Sequence, residues 1–184
     1  MRACLTGGIA CGKSLLSQYL IESGVDVVDA DDVVHSIIPD EERKRLAKIV
    51  FGDAGARRAL EAKVHPVVRE RIDAFFSAPG DGLRLAVVPL LFECGWEGSF
   101  DVIGCIASSR ETQISRMMAS RGYSREEAEA RIAAQMPVEE KAARADFIIR
   151  NDATPADLRM EAKRFLDFLM RRRRDFQKTG IENV

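Results

Sequence analysis

LTGGIACGKSLL, residues 5–16, decides how the rest of the chain is read. Three glycines, a lysine and a serine fall within the eight positions from Gly7 to Ser14, where an ordinary turn from strand to helix needs one or two glycines. Gly7-Gly8-Ile9-Ala10-Cys11-Gly12-Lys13-Ser14 satisfies G-x-x-x-x-G-K-[ST] at each fixed position. Such a segment is a phosphate loop: its backbone amides converge on the phosphates of a nucleotide, and the following helix adds its positive end. The context that the pattern requires is present, with an apolar run (Ala3-Cys4-Leu5) before it and an apolar periodic segment after it. The loop predicts triphosphate binding through Gly8 to Leu15, that is Gly8, Ile9, Ala10, Cys11, Gly12, Lys13, Ser14 and Leu15. The use made of the triphosphate has to be read from other segments.

Outward from the loop, β-rich runs alternate with helical patterns. The runs are Arg2–Thr6, Val25–Val28, Leu85–Leu90, Val102–Ala107 and Phe147–Ile149. Several are apolar almost throughout, as parallel strands covered on both faces are. Helices are expected from Lys13 to about Ser23, in several pieces between Asp40 and Ser77, near Arg110–Ser120, near Ser124–Met136, and at the C-terminus. This alternation predicts a three-layer α/β domain with right-handed crossovers. Ser124-Arg125-Glu126-Glu127 reads as a capping box. Pro66, in Val64-His65-Pro66-Val67, is expected to close one helix and open the next. In the last helix Leu158, Ala162, Phe165, Leu166 and Leu169 recur on one face. The run Arg171–Arg174 after them reads as a solvated helix end favoured by the macrodipole, in preference to a nucleic-acid patch.

Composition bounds the partners. The 184 residues suffice for one domain with a substantial core and at most a small appended subdomain. A hydrophobic fraction of 46% argues against disorder. The 28 basic and 29 acidic residues nearly cancel, so no global field draws the chain to nucleic acid or an anionic membrane. No apolar run has the length of a spanning helix and the chain opens directly on a strand pattern, so neither a membrane span nor a signal peptide is expected. The four cysteines (Cys4, Cys11, Cys94, Cys105) form no CxxC pair, as expected of a reduced cytoplasmic protein without structural zinc.

Phosphate-loop proteins divide into switches, motors and small-molecule kinases. A guanine switch needs a base-reading NKxD-like motif, which is absent. Asp101-Val102-Ile103-Gly104 spells DxxG but precedes a strand instead of following one. A compact kinase needs an acceptor-side carboxylate and arginines that gather charge on the transferring phosphoryl group. The carboxylates on offer are those of Val27-Val28-Asp29-Ala30-Asp31-Asp32, directly after the second strand. In an extended chain Asp29 and Asp31 would share a face. Either Asp31 or Asp32 could equally serve as a helix N-cap before Val33-Val34, so residue chemistry alone leaves catalysis and capping level.

Taken in order, LTGGIACGKS, VVDADDVVH, LEAKVHPVV, VVPLLFE, the segment from Arg116 to Gln135, and ADFIIRND resemble the dephospho-coenzyme A kinases over nearly the whole chain. The loop alone would be generic. DAD after strand two, HP between helices and VPLLFE in strand three are specific. The resemblance implies ATP-dependent phosphorylation of the ribose 3′-hydroxyl of dephospho-CoA. It implies a phosphate-loop kinase fold with a five-stranded parallel sheet, a lid at about 110–136 and a helical acceptor-side subdomain at about 33–78. By position, Asp31 matches the catalytic base, Lys13 the residue bridging the β- and γ-phosphates, Ser14 the magnesium ligand and Arg116 a lid-helix arginine. Asn151 matches a residue near adenine, and His65, Glu93 and Arg131 fall in motifs at the acceptor side or lid. His65 could instead cap a helix junction, and Glu127–Arg131 could be a plain i,i+4 ion pair. Gln135 also belongs to the lid pattern; His35 is given no role. ATP and dephospho-CoA are the expected partners, with Mg2+, and the protein is expected to be monomeric.

Three departures from the family pattern stand out. The stretch between His35 and Phe51 is short by roughly a helix and a loop. Where a second lid arginine is usual, four residues after Arg116, the chain has Ser120, with Arg121 next to it. Ala10-Cys11 replaces a small Gly-Ser-like pair, which leaves two readings of Cys11: an activated thiolate beside Lys13, or a small spacer. The competing functions are another phosphate-loop kinase of nucleoside monophosphate type, and an ATP-binding module without turnover.

Overall fold

A computed structural model describes residues 1–39 and 54–181 of the chain. Within these the strands are β1 (Ala3–Gly7), β2 (Asp26–Asp29), β3 (Arg84–Val87), β4 (Val102–Ala107) and β5 (Phe147–Arg150). The helices are α1 (Lys13–Glu22), α2 (Ala30–Ile37), α3 (Ala54–Ser77), α4 (Arg110–Arg121), α5 (Arg125–Ala133), α6 (Val138–Ala143) and α7 (Pro155–Ile181). The strands form one α/β sheet in the order β2-β3-β1-β4-β5. β1 runs parallel to both its neighbours, with Ala3 opposite Leu85 on one side and Val102 on the other, and Gly104 of β4 lies opposite Phe147 of β5. The chain forms two compact units, Met1–Val27 with Gly82–Val184, and Val28–Asp81.

The larger unit is built on β1 and β4, whose residues are all buried. β4 carries a glycine where α7 crosses: a Cβ on Gly104 would lie 2.5 Å from Cζ of Phe165. Phe165 is fully buried and its ring stacks on Phe147 at 5.4 Å, a burial worth about 1.5–3 kcal/mol. Leu158, Ala162 and Leu169 are buried on the same face of α7, and Leu166 packs at its margin. Side chains alternate along a strand, so Cys105 points to the opposite side, where α6 packs against β1 and β4. α7 does not stop at the arginine run: Arg171–Arg174 lie within a helix that continues to Ile181, so they are not a helix end.

Two further expectations are corrected. Strand three ends at Val87, and Pro89–Glu93 form turns, so the whole of VPLLFE follows the strand. The Pro89 carbonyl is bound there by the Thr6 hydroxyl (3.2 Å) and the Lys141 ammonium (2.8 Å), which fixes the turn. In the smaller unit α3 runs unbroken through Pro66. Proline removes one helical hydrogen bond and crowds the preceding turn. Val64, Val68 and Ile72, spaced four apart and all buried, join the two halves of α3 into one apolar stripe across that defect. The expected pieces between residues 40 and 53, including the shortened stretch up to Phe51, lie outside the described residues. The capping box is as expected: Ser124 accepts from the Glu127 amide while Glu127 accepts from that of Ser124.

Candidate active site

β1 delivers the chain into the loop against β4. A Cβ at Gly7 would stand 2.2 Å from the Ile106 carbonyl oxygen, and one at Gly12 2.3 Å from Nδ2 of Asn151. Any side chain at either position would push the loop off its supports. Gly12 adopts φ +95° as the N-cap of α1. It has no side chain to satisfy the first-turn amides, so those donors and the positive end of α1 are available to an anion. Ala10 takes φ +57°, the one non-glycine residue with positive φ among the described residues, at a cost of about 1–2 kcal/mol.

Side chains from distant segments hold that conformation. Gln113 donates to the Ile9 carbonyl (2.7 Å), and Gln135 accepts from the Ile9 amide (3.2 Å). Arg116 donates to the Ala10 carbonyl at 3.3 Å, to the Ser108 hydroxyl at 3.2 Å and to Oδ1 of Asn151 at 3.4 Å. Asn151, buried after β5, donates Nδ2 to the Cys11 carbonyl at 2.8 Å. Three consecutive loop residues are thus gripped by their peptide groups. Lys13 lies inside the same curve, donating to the carbonyls of Gly7 (3.0 Å) and Gly8 (2.8 Å). Ser14 is exposed in the first turn of α1, and Leu15 packs at the edge of the core.

The remaining candidates divide between the two units. In the larger, Glu93 accepts from the Lys141 ammonium (2.7 Å) and from the Met136 amide (3.0 Å). Arg131 stacks its guanidinium on the Tyr123 ring at 4.4 Å, while Glu127 serves the capping box. In the smaller, Asp29 is the N-cap of α2, its carboxylate accepting the Asp31 amide at 2.8 Å. The capping role considered for Asp31 or Asp32 therefore belongs to Asp29. Asp31 is helical, so the two do not share a face of extended chain; its side chain is exposed. His65 is half-buried within α3 and not at a junction, which removes the helix-junction reading.

Sequence reasoning missed Gln113 and Lys141. The signal was a polar residue in register with an apolar face: Gln113 with Ile114 and Met117, Lys141 with Val138 and Ala142, all buried.

Cys11 is fully buried, and that burial pushes its thiol above the ordinary value despite the opposing pull of Lys13. A reactive thiolate needs exposure and a lowered pKa; Cys11 has neither and acts as a spacer beneath the loop. Iodoacetamide treatment of the native protein at neutral pH, read by peptide mass spectrometry, is expected to label half-buried Cys94 and spare Cys11. Rapid labelling of Cys11, blocked by MgATP, would reverse that assignment.

Comparison with known proteins finds relatives over most of the chain. The family model for dephospho-CoA kinase matches residues 1–43 and 40–157. The dephospho-CoA kinase of Symbiobacterium thermophilum is 45% identical over 172 residues, covering 80% of this chain and 72% of that one. That of Geobacter sulfurreducens is 39% identical over 191 residues, covering 88% and 97%. The crystal structure of TT1252 from Thermus thermophilus superposes with a TM-score of 0.78 at 35% identity, covering 92% of this chain and 97% of that one. The loop built by β1 and α1, clamped from α4 and the segment after β5, is that of a chain belonging to the dephospho-CoA kinase family.

Proposed function

We propose that the protein transfers the γ-phosphoryl group of ATP to the ribose 3′-hydroxyl of dephospho-CoA, giving coenzyme A and ADP. The observation that carries this reading is the family match running through both the loop and the acceptor-side motifs. In the step, a bond forms between the 3′-oxygen and the γ-phosphorus while the bond to the β,γ-bridging oxygen breaks. Asp31 orients the hydroxyl and takes its proton. Lys13 and the loop amides hold the β- and γ-phosphates, and Arg116 meets charge on the transferring group. Asn151 supports the nucleotide side. His65 and Arg131 are assigned to the acceptor side or lid, as is Glu93, one of whose oxygens already serves Lys141 and Met136.

The residues fit magnesium. Ser14 offers one exposed hydroxyl at the start of α1, and no group of three or more His, Cys, Asp or Glu that could hold a metal occurs among the described residues. Magnesium held by one protein oxygen, completed by phosphate oxygens and water, suits that donor set. Bound there, it would neutralise phosphate charge as ADP departs. Among the described residues no helix is long and apolar enough to cross a membrane. We assign residues 33–78 to the acceptor-side subdomain and 110–136 to the lid, and take the enzyme to be a cytoplasmic monomer.

Coupled measurement of ADP release tests the reaction. Dephospho-CoA is expected to stimulate release strongly, while AMP, CMP and shikimate do not. Stimulation by AMP or CMP would favour the nucleoside monophosphate kinase reading, and ATP binding without stimulated turnover the non-catalytic one.

A further inference from the structure

Lys141 is the one fully buried charged side chain among the described residues. A buried ammonium is costly unless charge and hydrogen bonds compensate it. Here they do: Nζ lies 2.8 Å from the Pro89 carbonyl and 2.7 Å from Oε1 of Glu93. Replacing such a pair by apolar residues is often harmless or even stabilising, so stability alone is a weak reason for a lysine in this place. What the pair is connected to supplies a better one.

The Glu93 oxygen that meets Lys141 also accepts the Met136 amide at 3.0 Å. Next to Met136 is Gln135, whose side-chain oxygen takes the Ile9 amide of the phosphate loop at 3.2 Å. On its other side Lys141 shares the Pro89 carbonyl with the hydroxyl of Thr6, the residue before the loop opens at Gly7. We propose that Lys141 is a positioning residue for the phosphate loop, acting through Glu93 and the Met136 amide to aim Gln135 at the Ile9 peptide. Lys141 touches neither nucleotide nor acceptor in this scheme. It fixes a three-residue relay whose last member helps hold Ile9, next to Ala10 at its positive φ. The inference deepens the kinase reading, since the loop it concerns is the one assigned to ATP.

The test uses Lys141→Met, which keeps length and bulk without charge, together with Gln135→Met and the double variant. MgATP affinity is measured by calorimetry, and amide exchange at Ile9 and Met136 by NMR. Each single variant is expected to weaken MgATP binding about five- to tenfold, the worth of one lost hydrogen bond. The double variant should be no weaker than the weaker single, because the two act in series. In Lys141→Met, exchange at Ile9 and Met136 should accelerate while the amide of Cys105 in β4 keeps its protection. Unchanged MgATP affinity in a folded Lys141→Met, losses that multiply in the double variant, or unchanged exchange at Ile9 would each overturn the proposal. If Lys141→Met does not fold, Lys141→Met/Glu93→Gln, which leaves no unpaired charge, is read in its place with the same expectations. Failure of both to fold would make Lys141 structural and overturn the proposal too. MgATP binding is read without the acceptor, so a wild-type protein inactive on dephospho-CoA would sink the proposed reaction and leave this measurement intact.

Discussion

Asp31→Asn is expected to lower kcat by about 10²–10⁴-fold, the usual contribution of a positioned general base, with KM for ATP nearly unchanged. The amide preserves size and can still orient a hydroxyl through its oxygen, but it cannot accept the proton. Its neighbour provides the contrast. The Asp29 carboxylate is engaged by the Asp31 amide as the N-cap of α2, so Asp29→Ala should cost about 1 kcal/mol of stability with a small effect on kcat. Asp31 is exposed in the first turn of α2, and no hydrogen bond or ion pair engages its carboxylate among the described residues. Its removal should cost only the few tenths of a kcal/mol to about 1 kcal/mol that a negative charge near a helix N-terminus supplies. The two residues should therefore separate cleanly in a plot of kcat against Tm. Near-normal turnover in Asp31→Asn together with a collapse in Asp29→Asn would mean that the base has been assigned to the wrong carboxylate.

What the sequence disclosed was whatever depends on local spacing. The eight residues Gly7–Ser14 dictate a glycine-lined turn into α1, Ser124 and Glu127 cap each other across three positions, and α7 shows its apolar face at helical spacing. The relations it concealed are those with partners far away along the chain. Asn151 binds the Cys11 carbonyl across 140 positions, and Gln135 the Ile9 amide across 126. Nothing around Gln113 or Lys141 announces a partner; only their register with buried apolar neighbours sets them apart. Pro66 misled because its local cost was weighed without the stripe of Val64, Val68 and Ile72 that outweighs it. Cys11 stayed open between two readings for the opposite reason: its charged neighbours were legible, but its burial was not.

Arg116 carries the other large effect. Its guanidinium bonds to the loop at Ala10, to Ser108 and to Asn151, so it both shapes the loop and brings a fixed positive charge to it. Arg116→Ala should reduce kcat by an amount equivalent to about 2–4 kcal/mol, the range for removing a preorganised donor from developing charge. A smaller loss in ATP affinity would report the scaffold contacts, since ground-state and transition-state losses divide between KM and kcat. Arg116→Lys keeps the charge but not the planar fork that spans Ala10, Ser108 and Asn151, and should recover only part of the loss. Arg121 is the control: it is exposed in the last turn of α4, where a cation is favoured by the helix dipole. The single-residue offset from the usual arginine position turns it about 100° around the helix. Arg121→Ala should leave kcat within about threefold of wild type, as expected for a solvated surface charge. Equal and small losses in both variants would transfer the role to Arg131, whose stacking on Tyr123 would then have to yield for it to reach the transferring phosphoryl group.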